Sequence, residues 1–353
     1  MSPTPFATPI APTRSTRYRA SVPFVPSRRR LLGASIAGAG LSGLLAACGS
    51  DQTPAAQAAG SGSWSFTDDR GTTVRLPTQP RRVALLTDTV TSALWPAGLR
   101  PVAAFASDPA TTESVQLNLA KEGIVQIGGK DGQLDLEALA GAKPDLLIDV
   151  VQADGALQTI SKTAAAAQIA PVVGISMYQP IEHIVTTAEN ITAAVGARLA
   201  DTEAKTGYQS AAEKVRSAVK SNPGVRVGFV FDIGATELGV MNSGTWPILK
   251  TVAGLGVELV AIAQSEKNTY SEPISWERAP QIPADLLVWA VTDPLPTNPL
   301  WAKIPAVAAG QSWRPELASW YTYSYANFTG LLTGLADHLA SAKPGIGPTS
   351  PLS

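Results

Sequence analysis

PIEHIVTTAENITAAVGARLADTEAKTGYQSAAEKVRSAVK, residues 180–220, is the stretch that decides how the chain is read. It holds no proline after its first residue and little strand character. Apolar side chains fall at Ile181, Ile184, Val185, Ala188, Ile191 and Val195, and again at Ala204, Tyr208, Ala211, Val215 and Val219. Steps of three and four residues place each set along one stripe of a helix. Gly196 separates the two sets and ends the first helix, and Asp201 or Thr202 caps the second. A helix from there to Lys220 is about 30 Å long at 1.5 Å per residue, enough to span a small domain. Strands alternate with helices on both sides of it. The expected fold is therefore α/β, with two α/β lobes joined and held apart by a long rigid helix. The competing reading is an ordinary surface helix on a single α/β domain.

The boundaries follow from this centre. Residues 64–179 form the first lobe, 180–220 the connecting helices, 221–342 the second lobe and 343–353 a tail. A chain of 353 residues suits two or three domains. The formal net charge of −1 hides an asymmetry. Residues 1–47 carry six arginines and no acids, which leaves 21 basic residues against 28 acidic ones in the rest. An acidic body argues against nonspecific nucleic-acid binding. One cysteine, Cys48, excludes an internal disulfide, and two distant histidines argue against a histidine-rich metal site.

The first 26 residues, rich in Pro, Ser and Thr, have the composition of a disordered segment. Ser27-Arg28-Arg29-Arg30-Leu31-Leu32 resembles the twin-arginine export signal. The small and apolar run Leu31–Ala47 that follows is too short for a membrane span. Leu45-Ala46-Ala47-Cys48 resembles the bacterial lipobox, which implies that 1–47 is a signal peptide and that Cys48 carries the lipid. Several acyl chains, at about 0.8 kcal/mol per buried CH₂, make a durable membrane anchor. Residues 48–63 then read as a flexible tether. Gly38-Ala39-Gly40-Leu41-Ser42-Gly43 fits the dinucleotide pattern, but it sits in the segment expected to be removed and not inside a βαβ unit.

In the first lobe Trp64–Leu76 reads as a β-hairpin turning at Asp68-Asp69-Arg70-Gly71. Strands are expected at Arg82–Leu86, Pro101–Phe105, Ile124–Ile127, Leu146–Val150 and Val172–Ile175, with a helix to about Ala97 and another at Leu134–Ala142. The alternation implies a mostly parallel sheet, whose ligands meet the carboxyl ends of the strands. Candidates there are Thr87, Asp88, Phe105, Ser107, Asp108, Gly129, Lys130, Gln152 and Tyr178. In the second lobe, strands are expected at Val225–Phe231 (ending at Asp232), Leu238–Met241, Glu258–Ala261 and Asp285–Val291, and helices around Trp246–Ala253 and Asn327–Ala340. Trp289, Trp301, Trp313, Trp320, Tyr321, Tyr323 and Tyr325 crowd into this half. Rings with one dry and one wet edge suit a ligand surface, although about four of the seven are expected to fill the core. Arg314 stands ready to pair with an anion. The ligand set expected overall is Thr87, Asp88, Phe105, Lys130, Tyr178, Asp232, Trp246, Trp289, Trp313, Arg314, Trp320 and Tyr321.

The chain contains no G-x-S-x-G, H-E-x-x-H, C-x-x-C or phosphate-loop pattern. His183 and His338 both lie in helical patterns and read as helix-surface residues. With no catalytic set assembled, a binding protein rather than an enzyme is the economical reading, with neither metal nor cofactor of its own.

Four strings resemble the periplasmic-binding-protein family that serves ABC importers of iron–siderophore complexes, cobalamin and haem. They are Phe66-Thr67-Asp68-Asp69-Arg70-Gly71 with Arg82-Val83-Ala84; Leu94–Val102 with Gly98 and Pro101; Asp135-Leu136-Glu137-Ala138-Leu139 with Lys143-Pro144-Asp145-Leu146-Leu147-Ile148; and Ser275-Trp276-Glu277 with Ala284-Asp285-Leu286-Leu287-Val288 and Trp301–Gly310. The resemblance implies a rigid two-lobed receptor of the class III periplasmic type, with its ligand in the cleft between the lobes, that docks on a permease through one acid per lobe. Glu137 and Glu277 match those positions. It further implies an extracytoplasmic, lipid-anchored monomer that captures a ferric siderophore, with the permease and its ATPase as partners. A haem or cobalamin receptor is the alternative within the family, and a secreted protein reusing the fold without transport is the alternative outside it.

Overall fold

The computed structural model describes residues 63–106, 119, 121–128, 133–200, 203–234, 236–260, 270–290, 295–317 and 320–349. The expectations placed on the leader, on Cys48 and its tether, on Ser107, Asp108, Gly129 and Lys130, and on Asp201 or Thr202 as a cap lie outside these residues.

The described chain opens with the expected hairpin, β1 (Trp64–Thr67) against β2 (Thr73–Leu76). Its turn is built on Asp68, whose buried carboxylate accepts from the backbone N–H of Arg70 and Thr72 and from the Arg70 guanidinium. The same carboxylate accepts from Gly174 N at 2.8 Å, and Asp69 accepts from Ser176 N at 2.7 Å. Two neighbouring acids thus staple the hairpin to the edge of the first sheet.

That sheet uses β3 (Val83–Leu85), then helix α1 (Asp88–Ala97), β4 (Ala103–Ala104), β5 (Val125–Gln126), helix α2 (Leu136–Gly141), β6 (Leu146–Val151) and β7 (Val172–Ser176). The order is β5-β4-β3-β6-β7 and every pair is parallel. All six residues of β6 are buried, as a parallel strand covered on both faces requires. Because the strands run one way, Thr87, Phe105, Gln152 and Tyr178 all follow carboxyl ends at one end of the sheet.

Helices α3 (Ile181–Ala194) and α4 (Ala204–Ser221) follow. The second half contains β8 (Arg226–Gly234), β9 (Glu237–Met241), α5 (Pro247–Gly254), β10 (Glu258–Leu259), β11 (Ser271–Ser275), β12 (Leu286–Trp289), α6 (Pro305–Ala308), β13 (Ser312–Trp313) and α7 (Tyr325–Ser341). Its sheet runs β11-β9-β8-β12-β13, with β10 beside the start of β8. β8, β10, β12 and β13 are parallel, whereas β9 and β11 are antiparallel additions. The two sheets start from the same device. Arg82 N donates to Asp145 and Asp145 N to Arg82 O; Arg226 N donates to Asp285 and Asp285 N to Arg226 O. Asp145 and Asp285 lie 140 residues apart, as do Glu137 and Glu277.

The crossing between halves is made by α3 rather than by the longer helix. Its buried stripe, Ile181, Ile184, Val185, Ala188 and Ile191, matches the spacing in the sequence, and each Ile or Val buried adds about 1.5–3 kcal/mol. Its first N–H, from Ile181, donates to Thr251 Oγ1 on α5 at 2.9 Å. Its last turn offers the Ala194 carbonyl to Trp64 Nε1 of β1 at 2.8 Å. Gly196, at φ 77°, ends the run as the sequence implied. Helix α4 lies chiefly along α7, where Tyr208 and Tyr325 pack with ring centroids 5.0 Å apart.

A second link comes from a proline. Pro96, in the last turn of α1, has no N–H for the Ser92 carbonyl four residues back. That carbonyl accepts instead from Tyr323 N of the second half at 3.0 Å. The main apolar core is continuous from Trp64, Leu85 and Ile148 through Ile184 to Val227, Leu332 and Leu339. The halves therefore share this main core, while each sheet also covers a smaller core of its own.

Candidate functional site

Five aromatic side chains form a seam where the halves meet. Trp246, just before α5, holds its ring centroid 6.3 Å from Phe231 of β8, 6.3 Å from Tyr270 immediately before β11 and 6.2 Å from Tyr321. Its Nε1 donates to the Tyr270 carbonyl at 2.7 Å, so the indole is fixed before anything binds. Tyr178, which follows β7 of the first sheet, places its hydroxyl 3.2 Å from that of Tyr270. Tyr270 is 52% exposed and Tyr321 40%, large values for rings that already touch neighbours. The Tyr178 phenol is pushed well above its ordinary pKa by burial, by its bond to Tyr270 and by the charge of Asp154. It remains a neutral hydroxyl at any physiological pH. The Tyr178 carbonyl accepts from Lys250 Nζ of α5, which fixes the residue to the second half.

The structure sorts the residues expected from sequence. Tyr178, Trp246 and Tyr321 are brought together in the seam. Thr87 is the cap of α1, its hydroxyl accepting from Val90 N at 3.1 Å, and Asp88 is in that helix's first turn. Phe105 is half-buried against the small core of Ala84, Leu86 and Leu139. Asp232 is exposed at the bulge of β8 and accepts from Gly234 N. Trp320 lies partly buried against the main core, and Arg314 is exposed after β13.

Two expectations are corrected. Trp289 is 1% exposed and packs edge-on against Trp301 at 5.2 Å inside the second sheet's core, so it has no surface left for a ligand. Trp313 lies against His338 of α7 at 4.9 Å and over Gly334, where an added Cβ would come within 2.5 Å of the indole. It packs the last helix onto β13 instead of facing the seam.

Phe231 and Tyr270 are seam residues that the sequence reading passed over. Phe231 reads as the last apolar residue of a strand, and Tyr270 stands apart from the aromatic crowd that begins at Trp289. Glu137 and Glu277 are both exposed, the first in the opening turn of α2 behind the Asp135 cap, the second just after β11. The backbone N–H of Glu277 and the Ser275 hydroxyl hold the Glu277 carboxyl below its ordinary range, so it is charged. Among the described residues no group of three His, Cys, Asp or Glu is arranged to hold a metal ion, and no helix is long and apolar enough to cross a membrane.

Two sheets with parallel cores, a rigid crossing helix and an aromatic seam between them define a binding protein of the class III periplasmic type. The chain belongs to the periplasmic binding protein family, whose pattern matches residues 88–312. It is similar to DesE, a ferric-siderophore receptor protein from Streptomyces coelicolor, at 28% identity and a TM-score of 0.65, over 79% of this chain and 99% of that one. The siderophore periplasmic binding protein from the fuscachelin gene cluster of Thermobifida fusca shares the fold at 19% identity and a TM-score of 0.56, over 74% and 97%. So does the Fe³⁺–Desferal-bound siderophore binding protein FhuD from Vibrio cholerae, at 17% identity and 0.54, over 77% and 100%. No curated protein matches the sequence.

Proposed function

We propose that this protein captures a ferric siderophore outside the cytoplasm, without altering it, and delivers it to the permease of an ABC importer. The observation that carries the reading is the aromatic seam, with Trp246 fixed by its hydrogen bond and Tyr270 and Tyr321 turned to solvent. Flat, half-exposed rings cover the organic shell of a bulky chelate, and phenol hydroxyls reach its oxygens. The likeness to DesE, over nearly the whole of that receptor, supports the same ligand class.

Charge narrows the class. The carboxyl end of the first sheet carries Asp88, in the first turn of α1, and Asp154, whose charge reaches Tyr178 of the seam. A trianionic ferric tris-catecholate would meet these carboxylates unfavourably, whereas a neutral or cationic ferric hydroxamate, or a mixed chelate, would not. The lipobox-like Cys48 makes the receptor a lipoprotein on the outer face of the cytoplasmic membrane, and Glu137 and Glu277 dock it on the permease.

Titration of tryptophan emission tests the ligand. Saturable quenching by a ferric hydroxamate, with weaker response to a ferric catecholate, is expected. Tight binding of haem or cobalamin, with no response to any ferric siderophore, would overturn the assignment.

A further inference from the structure

The end of the molecule opposite the seam has its own chemistry. The loops that enter the first sheet at its strand amino ends, together with the loop after α3, present Arg81, Arg82, Arg100, Lys121, Lys143 and Arg198, all exposed. Among the described residues three acids share that end, Glu122, Asp145 and Glu203, and Asp145 is taken by the backbone N–H of Arg81 and Arg82. Among the described residues this end is therefore net cationic, on an otherwise acidic body. A hollow of about 340 Å³ lies there, lined by Gln79, Arg81, Leu99, Arg100, Gly196 and Ala197 among others. Arg100 stacks over Trp95 at 4.1 Å and donates to the Trp95 carbonyl, which pre-orders one guanidinium at the rim. Among the described residues the Arg81 and Arg198 guanidinium groups have no partner of their own.

The chain joins this body at the same end. Trp64, the first residue of β1, is fixed to the Ala194 carbonyl beside Val195 and Gly196 of the hollow. Cys48 lies 16 residues before it. Sixteen residues reach at most roughly 55 Å fully extended, so an acylated Cys48 holds this end within that distance of the bilayer.

We propose that the cationic end rests on an anionic phospholipid surface, with Arg81, Arg100 and Arg198 taking headgroup phosphates around the hollow. The biological setting rests on the lipid-anchor reading of Cys48; the chemistry does not. Guanidinium groups pair with phosphate oxygens through forked donors, and each basic residue held near an anionic leaflet strengthens association. In this resting pose the aromatic seam points away from the membrane, where cargo arrives. Docking through Glu137 and Glu277, which sit at the strand carboxyl ends, then requires the body to leave the lipid and turn over.

The test uses the full chain carrying Cys48→Ser, which removes acylation and leaves no native thiol. An environment-sensitive fluorophore is placed through Ala197→Cys at the hollow, or in a second sample through Asp154→Cys at the seam end. With phosphatidylglycerol–phosphatidylcholine vesicles the label at 197 shifts to the blue and the label at 154 does not; phosphatidylcholine alone shifts neither. Adding Arg81→Gln, Arg100→Gln and Arg198→Gln abolishes the shift at 197 and lowers affinity of that site for the vesicles about a hundredfold, with an unchanged melting curve. The six arginines before Cys48 remain in every sample, so capture through them survives in the triple variant and is told apart. No shift at 197, equal shifts at both positions, or the same shift with inorganic phosphate in place of vesicles would each overturn the proposal. The mass of the membrane-extracted wild-type chain separately reports whether Cys48 is acylated, so that reading can fail without affecting this result.

Discussion

Trp246 and Tyr270 are the residues on which binding turns. Trp246→Ala removes the ring that touches three of the other four, and the expected loss is about ten- to hundredfold in ferric-siderophore affinity by fluorescence or calorimetry. Tyr270→Phe keeps the ring and loses only its hydroxyl contact with Tyr178, so a change of a few-fold is expected. Trp289→Phe is the contrasting case: it lowers the melting temperature and leaves affinity alone, because Trp289 is core. The difference between Trp246 and Trp289 was not legible in the sequence. β12 is buried on both faces, so no alternation marks which of its side chains faces inward. Tyr270 was illegible for another reason: its partner Tyr178 is 92 residues away, and only the fold brings their hydroxyls together. Asp285 carries a pH signature. Burial opposes its ionisation, but Arg226 and the N–H groups of Arg226 and Gly347 outweigh burial and hold its carboxyl below the ordinary value of 3.8. A carboxyl depressed on folding stabilises above its unfolded pKa, and that contribution disappears as pH falls through the folded value. Asp285→Ala should cost about 3 kcal/mol at neutral pH and flatten the acid limb of the urea-midpoint profile. An acid limb as steep as the parent's would show that other carboxylates carry it.

At the scale of elements, the helices and strands were read to within a few residues wherever apolar runs ended in glycine, proline or a capping side chain. Asp135 and Thr87 cap α2 and α1, and Gly98 closes α1 at φ 108°. Only proximity in space shows what Gly98 faces: a Cβ there would come 2.3 Å from the Arg198 carbonyl. Gly98→Ala therefore meets both a left-handed backbone and a backbone clash, and about 3 kcal/mol of destabilisation is expected in chemical denaturation. The choice of strut shows the limit of length as a guide. The longer α4 looked able to span the molecule, yet the shorter α3 crosses it, because its stripe is apolar enough to be covered from both sides whereas α4 buries chiefly Ala, Val and one Tyr against α7.

For the whole molecule, the continuous interior and the Ser92–Tyr323 link leave little freedom for one half to swing against the other. Small-angle scattering should give nearly the same radius of gyration with and without ferric siderophore; a large compaction would contradict a rigid crossing. Glu137→Gln with Glu277→Gln should leave the titration unchanged and abolish import by cells, since neither side chain is in the seam. Import at the parental rate would remove them as docking groups. The two-sheet plan was legible because each sheet announces itself with an arginine, an apolar run and an aspartate in the same order. The seam was only partly legible: Phe231 reads simply as the end of a strand, and Tyr270 takes its meaning from Tyr178 of the opposite sheet.

The main oily core that α3 carries from one sheet to the other has one more outcome. Neither sheet can melt while the other stays intact, because each would strip the covering from α3, so heating should give one endotherm whose van't Hoff and calorimetric enthalpies agree. A gene cut between the sheets would then yield two insoluble fragments and not two working modules.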